Sequence, residues 1–319
     1  MNRIAFAFVF PALLAPPAFA QSFPERPVRV VVAFPAGGGT DIVARLLAPR
    51  LTEAWGQQVI VDNRAGASGV IGTEFAARSA PDGHTLFLGT LGNLAVNQHL
   101  YPKMTVDPLR DFAPVTQVVA VHFVLVANPS LPARNVAGLI ALARSRPGQI
   151  NYSSSGPGGA PHLAGELFKS MAKVDLVHVP YKGSAPSFQD LLGGRVSLTF
   201  DSLVQALPYI RDGRLVALAV LGATRSPLLP EVPTVAESLP GYELTNWFGL
   251  VAPAAVPRAI IARIHADVIK VLRDPAVSER LSAMGATAIG NEPGEFAAVM
   301  RADSEKWGKL IREARIRAE

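Results

Sequence analysis

The chain has 319 residues, 49% hydrophobic and 17% charged, with a formal net charge of +5. That is ordinary globular composition, with length enough for about two domains. There is no cysteine, which excludes disulfides, thiolate catalysis and Cys-type zinc sites, and the Lys and Arg residues form no run resembling a nucleic-acid patch.

The first residues read as a targeting segment. Met1-Asn2-Arg3 carries one positive charge, Ile4 to Ala15 is an apolar run too short for a membrane span, and Ala18-Phe19-Ala20 is an A-x-A cleavage site. Residues 1–20 are expected to be a signal peptide cleaved before Gln21. No later stretch has enough consecutive apolar residues to cross a bilayer. The expectation is an exported, soluble protein.

Val28–Phe34 reads as a buried strand that empties into Gly37-Gly38-Gly39, and an amphipathic helix follows at once over Thr40–Trp55. Bare backbone N–H groups and the positive end of a helix then face a cleft, which is an anion trap. Thr40 or Asp41 can cap the helix. Asp41 is therefore read equally as a structural cap and as a residue that fixes the loop or holds a bridging water. A carboxylate touching an anionic ligand directly would repel it.

Strand-like and helix-like stretches then alternate. Val59–Val61 is a strand, Gly69–Ser79 a helix, Thr85–Gly89 a strand, and the β-branched Val115–Ala127 one or two strands. Val136–Ser145 is a helix and Ile150–Tyr152 a strand. A second glycine-rich loop, Ser153 to His162, opens the helix His162–Met171, with Pro161 suited to its first position. His162 is expected in the first turn facing the same opening, with a structural hydrogen-bonding role weighed equally. Leu176–Val179, Val196–Phe200 and Val216–Val220 are strands with the helix Ala185–Leu192 among them. Ile260–Arg273, Pro275–Met284 and Glu295–Ala314 are three closing helices. The alternation argues for α/β sheets with helices on both faces.

Two anion traps in one chain imply a cleft lined from both sides. Thr90 and Asp201, at the ends of strands, are candidate further walls, because open α/β sheets place ligands at the carboxyl ends of their strands. Each also fits a turn or cap. Asp201 can pair with an amino group if the ligand is an amino acid. Trp247, Tyr181 and Phe34 read equally as an aromatic wall or as core. Two proline-closed strands, Phe123 to Pro129 and Phe248 to Pro253, echo each other. If they mark two crossings, the middle of the chain is an insert between two halves of one domain.

Catalytic signatures are weak. Gly37-x-Gly39 is followed by Ile42 where the dinucleotide fingerprint needs glycine. Ser170-Met-Ala-Lys173 lacks its partner motifs. His162 and Glu166 share a helix, but two ligands without a third make no metal site.

Pro27 to Asp41, Val61 to Gly72, Ala80 to Leu86, Ser155 to Phe168, Val179 to Pro186, Asp190 to Asp201 and Leu229 to Glu237 together resemble the Bug-type substrate-binding proteins of tripartite tricarboxylate transporters. The similarity covers nearly all of the chain after the signal segment, in order, and as a set these blocks are specific. The resemblance implies a two-lobed, type II-like periplasmic-binding (Venus-flytrap) α/β fold. Domain 1 is expected over 21–125 and 248–319, and domain 2 over 126–247. It implies a small organic acid held between the loops Pro35–Asp41 and Ser154–His162, largely by backbone groups and two bridging waters. The candidate ligand-binding residues are Ala36, Gly37, Gly38, Thr40, Asp41, Ser154, Ser155, Gly158 and His162 from these two loops, with Phe34, Thr90 and Asp201 from the strand-end and wall readings above. The resemblance implies delivery to a membrane permease of one large and one small subunit. No cofactor and a monomeric receptor are expected. A sensor subunit for a signalling partner would carry the same site. An exported α/β enzyme using the glycine loops for an anionic substrate is the third alternative. The chain departs from the family pattern at Pro157, which removes one N–H donor from the second loop.

Overall fold

The structure, a computed structural model, describes residues 23–313 and 316–317. The expected signal peptide and its cleavage point lie outside the described residues, as does Ala314, the expected end of the last helix.

Among the described residues eleven strands are formed, in chain order β1 (Val28–Val32), β2 (Val59–Asn63), β3 (Thr85–Thr90), β4 (Phe112–Val121), β5 (Phe123–Ala127), β6 (Asn151–Ser154), β7 (Val177–Pro180), β8 (Leu198–Ser202), β9 (Val216–Val220), β10 (Asn246–Pro253) and β11 (Ala286–Ala288). They make two sheets, a six-stranded one ordered β11-β4-β10-β3-β1-β2 and a five-stranded one ordered β7-β6-β8-β5-β9. In the first, β1 runs parallel to β2 and β3, while β10 is antiparallel to β3 and β4. In the second, β6 runs parallel to β7 and β8, and β5 is antiparallel to β8 and β9. β5, β8 and β10 are buried along their whole length; β5 is a continuous apolar run, as a strand covered on both faces should be, whereas β8 buries Thr199, Asp201 and Ser202.

The β-branched run Val115–Ala127 is two strands, one in each sheet, separated by His122 alone. The return crossing is equally short. The Leu244 N–H donates to Leu221 O beside β9, whereas Asn246 already pairs with Val121 in β4. The two crossings therefore run side by side at His122 and Thr245. The edges expected at 125/126 and 247/248 fall inside β5 and β10. These strands change sheet whole, because a strand split between sheets would leave buried N–H and C=O groups unpaired.

The closing helices pack on the first sheet. The Phe296 ring, in the helix Pro293–Glu313, lies over Gly249 of β10, where a Cβ would run into it, and meets Trp247 edge-on with centroids 5.2 Å apart. Trp247 is thus core, and its indole N–H donates to Asp303 Oδ2 at 2.7 Å. Trp55, at the end of the helix Gly39–Trp55, donates to Asp267 Oδ2 at 2.9 Å in the helix Arg258–Leu272. The C-terminal third thereby braces the helix that begins at the glycine turn.

Candidate functional site

β1 gives way to a turn in which the Gly38 N–H donates to Pro35 O at 3.4 Å and Gly37 takes a φ of +82°, a conformation that favours glycine. Gly38 is extended (ψ 163°) and no side chain caps the helix Gly39–Trp55 that follows. β6 ends at Ser154, and the helix Ala160–Ala172 starts after Gly159, again with no side-chain cap. The first-turn N–H groups of a helix have no intrahelical partner and carry the positive end of its dipole. Gly38, Gly39 and Thr40 line one side of a cleft between the sheets, and Gly159, Ala160 and Pro161 line the other.

The cleft measures about 450 Å³, its open mouth included. Phe34, Phe123 and Phe248 supply its apolar wall; Thr90, Ser155, Ser184, Asp201, Ser202 and Asn246 supply polar groups. Asn246 is 4% exposed, and its Oδ1 is buried with no hydrogen-bond partner among the described residues. An acceptor in that state at a cleft wall is satisfied by a water or a ligand donor.

Of the residues singled out in the sequence, Phe34, Gly38, Thr40, Thr90, Ser155 and Asp201 converge on this cleft, whereas Ala36, Gly37, Asp41, Ser154, Gly158 and His162 do not line it. Asp41 turns back under the first loop. It accepts from the Gly37 N–H (2.9 Å), from Arg45 Nε (2.9 and 3.0 Å) and from Asn63 Nδ2 (2.9 Å). Burial works to raise its carboxyl, but Arg45, Gly37 and Asn63 outweigh burial and hold it below the usual range. The Gly37 N–H is consumed by this brace. Asp41 fixes the loop from behind.

His162 does not face the opening. Its Nδ1 accepts from the Gly158 N–H at 3.1 Å, and its ring stacks on His178 with centroids 4.3 Å apart. Ser154 Oγ lies 2.6 Å from His178 Nε2 and accepts from the Gly156 N–H at 3.1 Å. Burial, then the neighbouring His162, pushes the His178 imidazole down to about 3, so it is neutral near pH 7. These residues shape the second loop from within its own lobe. The Asp41–Arg45 pair stands at i,i+4 on one helix and could have been read from spacing, whereas the Asn63 contact and the His162–His178 stacking join segments distant in the chain.

Asp201 is 2% exposed and has no cationic partner; its carboxylate accepts from Ser184 Oγ (2.7 Å) and the Ser202 N–H (2.6 Å). Burial pushes its pKa up to about 6, against the lowering effect of those two donors. The native carboxyl thus binds its proton more tightly than the unfolded one, whose pKa is about 3.9. Protonation therefore stabilises the fold fully below about pH 4, and that contribution is lost as pH rises towards about 6. Asp201→Asn should raise the unfolding midpoint of the ligand-free protein at pH 7.5, by the equivalent of about 2–3 kcal/mol, and leave it unchanged near pH 4. Since His178 titrates in both proteins, the wild-type-minus-variant difference isolates Asp201. A pH-independent difference in melting curves would rule this account out.

Gly39, Gly159, Ala160 and Pro161 lie within the two loops expected to hold the ligand, though they were not singled out there as contacts. Ser184, Asn246, Phe123 and Phe248 were not anticipated. Ser184 carried a usable signal, because it follows Gly183 and opens the helix Ser184–Leu192 after β7, a third strand–glycine–helix turn. Asn246 begins an otherwise apolar strand, and Phe123 and Phe248 look like any core aromatic until both crossings are placed.

No group of three or more metal-ligating side chains capable of holding an ion occurs among the described residues, and no helix there is long and apolar enough to cross a membrane. Two α/β lobes joined by two short crossings, with uncapped helix ends facing one cleft, define a solute-binding protein of the periplasmic-binding fold. The chain belongs to the tripartite tricarboxylate transporter receptor family, whose sequence profile matches residues 43–316. Solved structures similar to it include Rpa4515 of R. palustris with adipate, at 40% identity, with a TM-score of 0.90 over 92% of this chain and 99% of that one. MatC from Rhodopseudomonas palustris with bound malate is 33% identical, with a TM-score of 0.87 over 91% of this chain and 100% of that one. The periplasmic binding protein BugD is 34% identical, with a TM-score of 0.89 over 93% of this chain and 100% of that one. These relatives are binding proteins, and the chain is a receptor rather than an enzyme.

Proposed function

We propose that the protein captures a small organic acid between its lobes in the periplasm and hands it to a two-subunit membrane permease of the tripartite tricarboxylate type. On this reading residues 1–20 are the export signal. One lobe comprises the chain before His122 and after Thr245, and the other the segment between. The observation that carries the reading is the pair of uncapped helix N-termini, one from each lobe, on opposite walls of a single cleft. Backbone donors there suit a carboxylate, and donation through one or two waters tolerates different carbon skeletons. Adipate and malate in two relatives of known structure support the ligand class. Phe34, Phe123 and Phe248 would contact the carbon chain. Thr40, Ser155, Ser184 and Asn246 would orient its polar ends.

The test is a thermal-shift screen of the refolded protein against adipate, malate, other di- and tricarboxylates, aromatic acids, amino acids and nucleotides. A ligand at ~100 times its dissociation constant adds about 2.7 kcal/mol, which moves the midpoint by a few degrees. A shift confined to one acid series identifies the substrate class. A shift with nucleotides alone overturns the proposal.

A further inference from the structure

Beside the ligand walls, the lobes touch along a second line, where the loop after β6 meets the segment between β3 and β4. The Tyr101 hydroxyl of the first lobe donates to the Pro157 carbonyl of the second at 2.7 Å. Ser68 lies beside that hydroxyl and against Gly156. A Cβ at Gly158 would sit 2.7 Å from Leu100 Cδ1 and 3.0 Å from Asn97 Oδ1, and one at Gly92 would sit 3.3 Å from Gly158 O. Glycine at these places lets backbone approach backbone across the gap. Pro157, the departure from the family pattern, is thus the acceptor in a bond between lobes.

We infer that Tyr101 is a positioning residue for ligand capture, whose hydroxyl clasps the second glycine loop onto the first lobe and so favours the closed state. The inference rests on lobe closure as proposed above, and is independent of the ligand's identity. The clasp exists only when Pro157 is in reach, so it stabilises closed over open. Apparent affinity scales with the population of the binding-competent state, so whatever favours closure tightens binding of any ligand that fits. A neutral hydrogen bond of ordinary strength changes such a population about five-fold. Neither lobe's own core includes the bond, so removing it leaves the unfolding midpoint of the ligand-free protein in place.

The absence of cysteine allows a direct assay. A Cβ built at Gly39 lies 3.5 Å from Ser202 Cβ on the other lobe, within disulfide range. The Gly39→Cys/Ser202→Cys double variant should therefore cross-link under mild oxidation whenever the lobes close, with no ligand present. Adding Tyr101→Phe should slow cross-linking about five-fold at an unchanged unfolding midpoint. Adding Tyr209→Phe, which lies in the second lobe away from the clasp, should not change the rate. Equal rates with and without the Tyr101 hydroxyl overturn the clasp and leave closure standing. Failure of every variant to cross-link overturns lobe closure, and the clasp with it. If Tyr101→Phe cannot be obtained folded, Tyr101→Leu, which also lacks the hydroxyl, takes its place in the same assay with the same expected slowing.

Discussion

Proline at position 39 should weaken binding of the ligand about 10- to 100-fold and leave the fold intact. Gly39 is the first residue of its helix, where proline is tolerated because that N–H has no intrahelical partner. Gly38 before it is already extended at ψ 163°, the conformation a following proline demands. The substitution therefore deletes one donor from the cleft wall with little backbone disturbance. A hydrogen bond to a charged group contributes about 1.5–3 kcal/mol, and 1.4 kcal/mol is ten-fold in affinity. Gly39→Ala is the matched control. It keeps the N–H and adds a Cβ about as close to Ser202 Oγ as a small shift can absorb, at 3.2 Å. Calorimetric titration with the acid selected by the thermal screen compares the two. If both variants bind alike, the first helix end is not a donor to the ligand.

The largest expected loss of stability comes from Phe296→Ala, at about 3–5 kcal/mol. Its ring is fully buried, fills the space over Gly249 that no side chain could share, and packs edge-on against Trp247. Truncation opens a cavity between the last helix and β10, the strand that also carries Asn246 and Phe248 into the cleft. In a protein of this size the unfolding midpoint should fall by about 10 °C. A fall of only a degree or two would mean that the helix Pro293–Glu313 is an accessory to the first lobe and not part of its core.

Much of this architecture is legible in the chain. The run Val28 to Asp41 shows a strand, a glycine turn and a helix because each element leaves its own local mark: β-branched residues, loss of Cβ, and apolar spacing of 3.6. The loop ending at Pro161 repeats that pattern, so both uncapped helix ends could be located to within a residue or two. The seven blocks of family resemblance identify the class for the same reason, since they are local strings.

Less legible was the direction in which individual polar side chains turn. Asp41 and His162 stand in the right loops yet face away from the cleft. Each is held by neighbours four residues away, Arg45 and Gly37 for one and Gly158 for the other, and by one partner that only the folded chain brings near, Asn63 and His178 respectively. Trp247 and Phe248 are neighbours in sequence with opposite fates. Alternation along β10 sends the indole towards Asp303 and the phenyl ring into the cleft. The period of a strand predicts that they point to opposite faces. Which face is core is decided by the sheet to which the strand returns.

Residues close together in the chain set the strand–glycine–helix loops, the α/β alternation and the family, and with them the expectation that both loops line one cleft. Only the folded chain shows which loop residues meet across that cleft, that the crossings sit at His122 and Thr245, and that Tyr101 reaches Pro157. Those are pairings between distant segments, and their register is set by strand order and core packing, which no local pattern encodes.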